Sequence, residues 1–142
     1  MEPKVLEFLT EHRVSSLTTL LPDGSPHAAA LHYSHTGDPL TLYFSTENTS
    51  RKCQGLLDGQ KVKGAVVIGF SEEEWLTLQM EGEVWVVTDR VELEKIHRVH
   101  YLKHPNSEQY KDLPETIFLA FRPVWWRYTD FNTDPPAILF SE

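Results

Sequence analysis

Apolar and polar residues alternate over most of the chain with a period of two, the pattern typical of half-buried β-strands. Proline and glycine separate these stretches, and Pro22-Asp23-Gly24-Ser25 places both in turn positions between the first two. The pattern predicts six strands, at residues 13–21, 26–34, 40–46, 61–70, 74–88 and 115–129. Because short turns connect most of them, we expect an antiparallel sheet that closes or nearly closes into a barrel.

Other stretches have helical rather than alternating patterns. Asp89 and Glu92 have the spacing of a capping box, and Gly59 lies where a helix would end after a cap at Asn48 or Thr49. Helices are predicted at residues 3–12, 49–59 and 89–103, with a short helical turn at 106–113. The predicted fold class is therefore mainly β (α+β), with helices flanking a six-stranded antiparallel barrel.

Composition narrows the possible functions. The chain has 142 residues without repeats or linkers, so we expect a single domain over residues 1–142. A net charge of −8 argues against nucleic acid or an anionic membrane as a partner, because both attract basic surfaces. With a single cysteine, Cys53, and no apolar run of the ~20 residues that span a membrane, we expect a cytoplasmic protein.

Two basic residues, Arg51 and Lys52, lie side by side at the start of the second predicted helix. Cations there oppose the helix dipole at a cost of ~0.3–1 kcal/mol each, whereas an anion would gain the dipole and the free N–H groups. Solvated surface cations are the alternative interpretation, because short basic pairs are common. The nearby hydroxyls of Thr46, Thr49 and Ser50 favour a bound phosphate monoester.

Several segments carry a resemblance to a known family. They are Leu17-Thr18-Thr19, Pro22-Asp23-Gly24-Ser25-Pro26-His27, Leu42-Tyr43-Phe44-Ser45-Thr46, Thr49-Ser50-Arg51-Lys52 and Gln79-Met80-Glu81-Gly82-Glu83-Val84. In this order and spacing they resemble the pyridoxamine 5′-phosphate oxidase-like FMN-binding split barrels, over approximately residues 8–101. The resemblance implies a six-stranded split barrel that forms a homodimer, with two FMN sites at the subunit interface.

The resemblance also implies which residues bind the phosphate and the chain of FMN. Ser50, Arg51 and Lys52 match the turn that holds the phosphate. The strand end Phe44-Ser45-Thr46 matches the segment that lines the ribityl chain and the flavin ring.

Contacts to the flavin ring are implied in three further places. His32 and Tyr33 match a segment that runs along the flavin, and Thr77 or Gln79 would contact the ring or its polar edge. The strand with Trp126 and Arg127 resembles one that reaches the cofactor from the partner subunit.

The expected function is that of an FMN-dependent oxidoreductase with a small organic substrate. The tail from Asp130 onward is acidic and apolar and lacks a second set of basic residues, so we do not expect it to oxidise pyridoxamine phosphate itself. No nucleophile–base pair is present, so no catalytic residue is assigned. The alternatives are a flavin carrier or stress-related protein without turnover, and a split barrel that binds haem or a deazaflavin.

Three histidines, His97, His100 and His104, fall near one face of the helix predicted at 89–103. Metal binding needs imidazoles that converge, and no cysteine or carboxylate stands in a suitable relation to them. We interpret the three as a solvated or interface face and predict no metal site.

Overall fold

The computed structural model describes residues Met1 to Glu142 and contains two α-helices and eight β-strands. The helices are α1 (Pro3–Glu11) and α2 (Arg90–Lys103), and 3-10 turns lie at Arg51–Cys53 and Pro105–Tyr110. The strands are β1 (Val14–Leu20), β2 (Pro26–His32), β3 (Ser34–Gly37), β4 (Leu40–Glu47), β5 (Val62–Ile68), β6 (Leu76–Val86), β7 (Thr116–Asp130) and β8 (Ala137–Phe140). Neither helix has the length and apolar character that crossing a bilayer requires.

All strands belong to one antiparallel sheet, in the order β2-β1-β5-β6-β7-β4-β3, with β8 paired to β7. The sheet curls around its apolar face, which confirms the predicted mainly-β split barrel with flanking helices. Eight strands form where the alternation predicts six, because the strand predicted at 26–34 ends at His32, a further strand forms at Ser34–Gly37, and the C-terminal tail pairs with β7.

Tyr33 divides the stretch that was predicted as one strand. Its N–H donates to the carbonyl of Arg13 (3.1 Å), and its fully buried hydroxyl donates to the carbonyl of Leu9 (2.7 Å). The chain therefore leaves its pairing with β1 at His32 and pairs with β4 from Ser34 onward.

The inward positions of the strands fill one large core. Leu17, Phe44, Met80, Leu119 and Phe121 are all 1 % exposed or less, and each contributes roughly 1.5–3 kcal/mol through burial. Along β1, buried residues alternate with more exposed ones, as expected for a strand with one face on the core, although the buried positions include Ser15 and Thr19 as well as Leu17.

The helix predicted at 49–59 is wrong. Only the 3-10 turn Arg51–Cys53 forms there, because the segment packs directly against β1. The Thr19 hydroxyl donates to the Lys52 carbonyl (2.9 Å), and a Cβ on Gly55 would lie 2.5 Å from the carbonyl oxygen of Leu20. The backbone forms only i→i+3 hydrogen bonds, such as Cys53 N–H to the Ser50 carbonyl and Leu56 N–H to the Cys53 carbonyl, so no α-helix begins here and the dipole argument for an anion site does not apply.

The prediction for α2 is confirmed at both ends. The Asp89 carboxylate accepts the Glu92 backbone N–H (2.9 Å), and Pro105 follows the last helical turn. Ile96 and Tyr101 pack against Phe118 of β7 in a second apolar cluster, which fixes α2 beside the ends of β3 and β4.

Candidate functional site

A cavity of about 570 Å³ lies where the ends of β2 and β4 meet the 3-10 turn and α2. This volume is in the range of sites for organic cofactors. Its lining is contributed by five parts of the chain: Ala30, Leu31, His32, Ser45, Thr46, Glu47, Ser50, Lys52, His100, Ser107, Tyr110, Leu113 and Thr116.

Lys52 is the only cationic lysine or arginine in this lining, and it is 9 % exposed. Its backbone is held by the bond from Thr19, while its ammonium group forms no ion pair or hydrogen bond within the chain. The residue as a whole is largely buried, but its ammonium is not among the side-chain atoms sealed from solvent, so it faces the open cavity as an unpaired positive charge. The cavity is therefore suited to a negatively charged group at Lys52.

Hydroxyl groups surround the cavity near Lys52. Ser45, Thr46 and Ser50 all line it, and the Thr46 and Ser50 hydroxyl oxygens lie 3.5 Å apart. The Ser50 hydroxyl donates to the Glu47 carbonyl (2.8 Å), which holds its oxygen in place as an acceptor or, after rotation, a donor to a ligand. The set offers several donors to phosphate oxygens without a helix N-terminus.

Thr49 and Arg51 lie outside the lining, and both are exposed. Hydrogen bonds from Ser25 lower the pKa of the exposed Asp23 carboxyl, and the charge of Arg51 adds a smaller effect in the same direction. Arg51 forms no ion pair, so its guanidinium is free to turn toward the mouth of the cavity. Lys52 is thus buried, whereas the adjacent Arg51 is exposed.

Phe44 and Tyr33 were predicted to line a flavin, but their side chains are fully buried in the core. Only the backbone of these two residues is available for contacts with a ligand. His32, which was predicted with them, is exposed and lines the cavity.

Of the remaining predicted residues, Trp126 and Arg127 lie toward the other end of β7, and Thr77 and Gln79 lie beside them on β6. Gln79 pairs with Arg127, whereas Ser45 pairs with Phe118, nine residues earlier on β7. At the rise of an extended strand this is about 30 Å along β7. One chain therefore does not bring the two predicted groups together.

Within this second group, Arg127 has incomplete hydrogen bonding. Its Nη2 donates to Gln79 Oε1 at 3.5 Å, and its buried Nε has no partner in the chain. Thr77 donates its hydroxyl to the Ile68 carbonyl, and Trp126 packs against the core.

His100 of α2 and His104 directly after it are buried within the chain, so these two do not form the solvated part of the predicted solvated or interface face. His100 is 1 % and His104 is 3 % exposed, and the Nδ1 of His100 lies 2.7 Å from the Ser34 hydroxyl oxygen. His104 Nε2 lies 2.7 Å from the Tyr33 carbonyl oxygen, and its ring centroid is 4.9 Å from those of His32 and His100.

Burial is the main reason that these imidazoles stay neutral. It lowers the pKa of His100 to about 3, with smaller contributions from His104 and His32, and it also lowers the pKa of His104. His100 lines the cavity as an uncharged group. No arrangement of three histidine, cysteine or carboxylate side chains suited to a metal ion is present.

Sequence patterns did not identify the wall that closes the cavity beyond Lys52. It consists of His100 and of Ser107, Tyr110, Leu113 and Thr116 from the segment after α2. The spacing of His97, His100 and His104 placed them on one face, but spacing alone carries no information on which face is buried.

A sequence model of the family described as "Pyridoxamine 5′-phosphate oxidase" matches residues 1–130. Among curated proteins, none matches the sequence significantly.

Solved structures share the fold at low sequence identity. A haem-binding protein from Mycobacterium smegmatis is 15 % identical, with a TM-score of 0.74 over 99 % of this chain and 59 % of that protein. An FMN-binding protein related to pyridoxamine 5′-phosphate oxidase from Nostoc punctiforme is 14 % identical, with a TM-score of 0.69 over 99 % and 90 %. A protein described as a pyridoxamine 5′-phosphate oxidase candidate from Listeria innocua is 23 % identical, with a TM-score of 0.68 over 88 % and 94 %.

Proposed function

The chain belongs to the pyridoxamine 5′-phosphate oxidase family, and from this premise we propose that it binds FMN with the phosphate at Lys52. The observation that carries the proposal is Lys52, a residue that is 9 % exposed and whose ammonium has no partner within the chain, in the lining of a cavity of about 570 Å³. We propose that the whole chain acts as one cytoplasmic FMN-binding domain and transfers electrons to or from a small organic substrate.

The residues of the cavity fit the phosphate end of FMN. Lys52 supplies the charge, while Ser50, Thr46 and Ser45 supply hydroxyl donors. Arg51, exposed and next to Lys52 in the chain, would add a screened attraction from solvent. Thr49 is exposed beside it and is the most peripheral of the proposed phosphate contacts.

FMN supplies the hydride or electron transfer when it is bound, and the chain supplies binding and orientation. Ser45 and Thr46 of β4 and His32 at the end of β2 line the cavity, while Phe44 and Tyr33 lie next to them in the chain. These two strand ends would bind and orient the ring, and the cavity would limit the access of water to it.

The second group of predicted residues fits the proposal if two chains form a dimer. The outward face of β1 and β2 carries Ser16, Thr18, Ala28 and Ala30, which leave room for the close approach of another sheet. Ala30 also lines the cavity, so this face and the cavity are continuous. A second copy would bring its own Gln79, Trp126 and Arg127 to the cofactor, and its Arg127 would gain partners there.

Haem is the second candidate ligand. Two imidazoles, those of His32 and His100, line the same cavity, and a neutral imidazole is a common axial ligand of haem iron. The similar protein from M. smegmatis binds haem. A flavin carrier without turnover would use the same FMN site. The bound cofactor is therefore identified first, and activity is tested afterwards.

The absorption spectrum of the purified protein after incubation with FMN and desalting tests the proposed cofactor. We expect close to one FMN per chain, seen as the visible flavin bands, because phosphate and ring contacts act together. A parallel incubation with haemin is expected to leave no Soret band after desalting. Stoichiometric haem with no retained flavin would contradict the proposal.

The proposed dimer is tested by light scattering. We expect a species of about twice the chain mass of 16.4 kDa. Val124 is 72 % exposed on β7 beside a second, apolar cavity over Gly64 and Gly82, and Val124→Glu is expected to give the monomer and weaken FMN binding. Val91→Glu on α2, where Val91 is 61 % exposed, is the matched control and should stay dimeric. A monomeric wild-type protein would contradict the shared site.

A further inference from the structure

His100 occupies a position in the cavity that the phosphate argument does not use. It projects from α2, is 1 % exposed, and belongs to the same lining as Lys52, which comes from the 3-10 turn. A buried polar side chain is normally satisfied at every polar atom. The hydrogen bonds of its two ring nitrogens therefore define what His100 can offer to a ligand.

The Ser34 hydroxyl fixes which nitrogen of His100 carries the proton. Ser34 is 1 % exposed, and its oxygen lies 2.7 Å from His100 Nδ1 with no other hydrogen-bond acceptor in contact. If Nδ1 carried the proton, the hydroxyl hydrogen of Ser34 would be buried without an acceptor, at a cost of about 1–3 kcal/mol. The hydroxyl therefore donates to Nδ1, and the proton of the neutral ring is on Nε2.

The Nε2–H group of His100 is available to a molecule in the cavity. Nε2 forms no hydrogen bond within the chain and is not sealed from solvent, whereas the Nδ1 of the neighbouring His104 is. The ring of His104 is fixed in place, because its Nε2 donates to the Tyr33 carbonyl at 2.7 Å. His100 thus presents one N–H donor, at Nε2, to the cavity in a fixed direction.

The surroundings of His100 keep it uncharged. The titratable groups that face it are His32 of β2 and His97, Lys103 and His104 of α2, and no carboxylate is among them. Burial and these neighbours lower its pKa to about 3, so it is neutral throughout the physiological range. A neutral donor binds a carbonyl oxygen well but gives an anion no charge attraction.

We propose that His100 forms a substrate subsite for an uncharged organic group with a hydrogen-bond acceptor, such as a carbonyl oxygen. The inference rests on the proposed function, since it assigns the substrate side of the cavity that holds FMN at Lys52. It makes His100 a specificity-determining residue, and it assigns ligand groups of different charge to two parts of one cavity. Lys52 takes the anionic group of the cofactor, and His100 takes the neutral group of the substrate.

Calorimetric titration of the FMN-loaded protein with benzamide and with benzoate tests the subsite. The two probes share a ring and differ in charge. We expect benzamide to bind at least about tenfold more tightly than benzoate, with a Kd that stays constant within about twofold from about pH 6 to about pH 8. A cationic imidazole would reverse this order and give benzoate binding that weakens as the pH rises. That result in the wild-type protein would overturn the proposal.

Variants of His100 distinguish loss of the N–H donor from disruption of the fold. His100→Phe is expected to weaken benzamide about tenfold, while His100→Gln, which keeps an N–H donor, should recover most of the affinity. His97→Gln, a histidine of the same helix outside the lining, is the matched control and should leave the Kd unchanged. Equal benzamide affinity in the wild type and His100→Phe would overturn the subsite. Failure of the wild type to retain FMN would instead count against the proposed function, whereas benzamide binding to the FMN-free protein that is weakened in His100→Phe would still support the subsite.

Discussion

Lys52→Met is expected to lower the affinity for FMN by about a hundredfold or more, because it removes a charge-assisted contact from a site shielded from water. The same substitution is expected to leave the FMN-free protein at least as stable as the wild type. In the FMN-free protein the Lys52 ammonium has no ion pair or hydrogen bond within the chain to lose, and methionine fills a similar volume without charge. Fluorescence titration with FMN and thermal unfolding of the FMN-free protein measure the two effects.

This prediction is specific because FMN affinity is expected to fall while the stability of the FMN-free protein does not. A misfolded variant would lose both stability and affinity, whereas a binding residue loses affinity alone. Lys95→Met, at an exposed lysine of α2, is the control and should change neither. Arg51→Met is expected to lower the affinity only about threefold to tenfold, because the exposed guanidinium acts through solvent. Normal FMN binding in Lys52→Met together with loss in Arg51→Met would place the phosphate outside the cavity.

Acidification is expected to destabilise the protein strongly through the buried histidines. The pKa of His100 is about 3 in the folded chain and near 6.5 in the unfolded chain, so between these values the unfolded chain binds more protons. The free energy of unfolding therefore falls as the pH drops through 6.5 and keeps falling toward 3. His100 alone accounts for about 3 kcal/mol at about pH 4, and the lowered pKa values of His35, His97 and His104 act in the same direction.

Urea unfolding at about pH 7 and about pH 4 measures this effect. His100→Gln removes the titrating group, so its free energy of unfolding should fall by about 3 kcal/mol less than that of the wild type over the same interval. His27→Gln, at the opposite end of β2 from His32, serves as the control and should follow the wild type. An identical pH dependence in His100→Gln would show that His100 is not buried as a neutral group.

Local sequence signals predicted those elements whose causes are local. The capping pair Asp89 and Glu92 fixed the start of α2, and the period-two alternation gave most strands of the barrel. The helix predicted at 49–59 failed because Gly55 rests on Leu20 and Thr19 holds the Lys52 carbonyl. Both contacts join residues more than thirty positions apart, and no local pattern records them.

The candidate site could be proposed from the sequence where the basic pair and the family resemblance pointed to the same residues. Lys52 stood out as part of an unusual basic pair, but only the tertiary structure shows that it is buried and that Arg51 is not. His100 was missed because helical spacing does not reveal burial. Gln79 and Arg127 lie about 30 Å along β7 from the cavity, so their predicted role depends on a second chain.

A crystal structure of the protein grown with FMN tests the central claim most directly. The account predicts an FMN phosphate oxygen about 2.7–2.9 Å from the Lys52 ammonium nitrogen, with the Ser50 hydroxyl also in contact. A flavin whose phosphate lies elsewhere, such as at Arg127, while Lys52 faces only solvent, would contradict it.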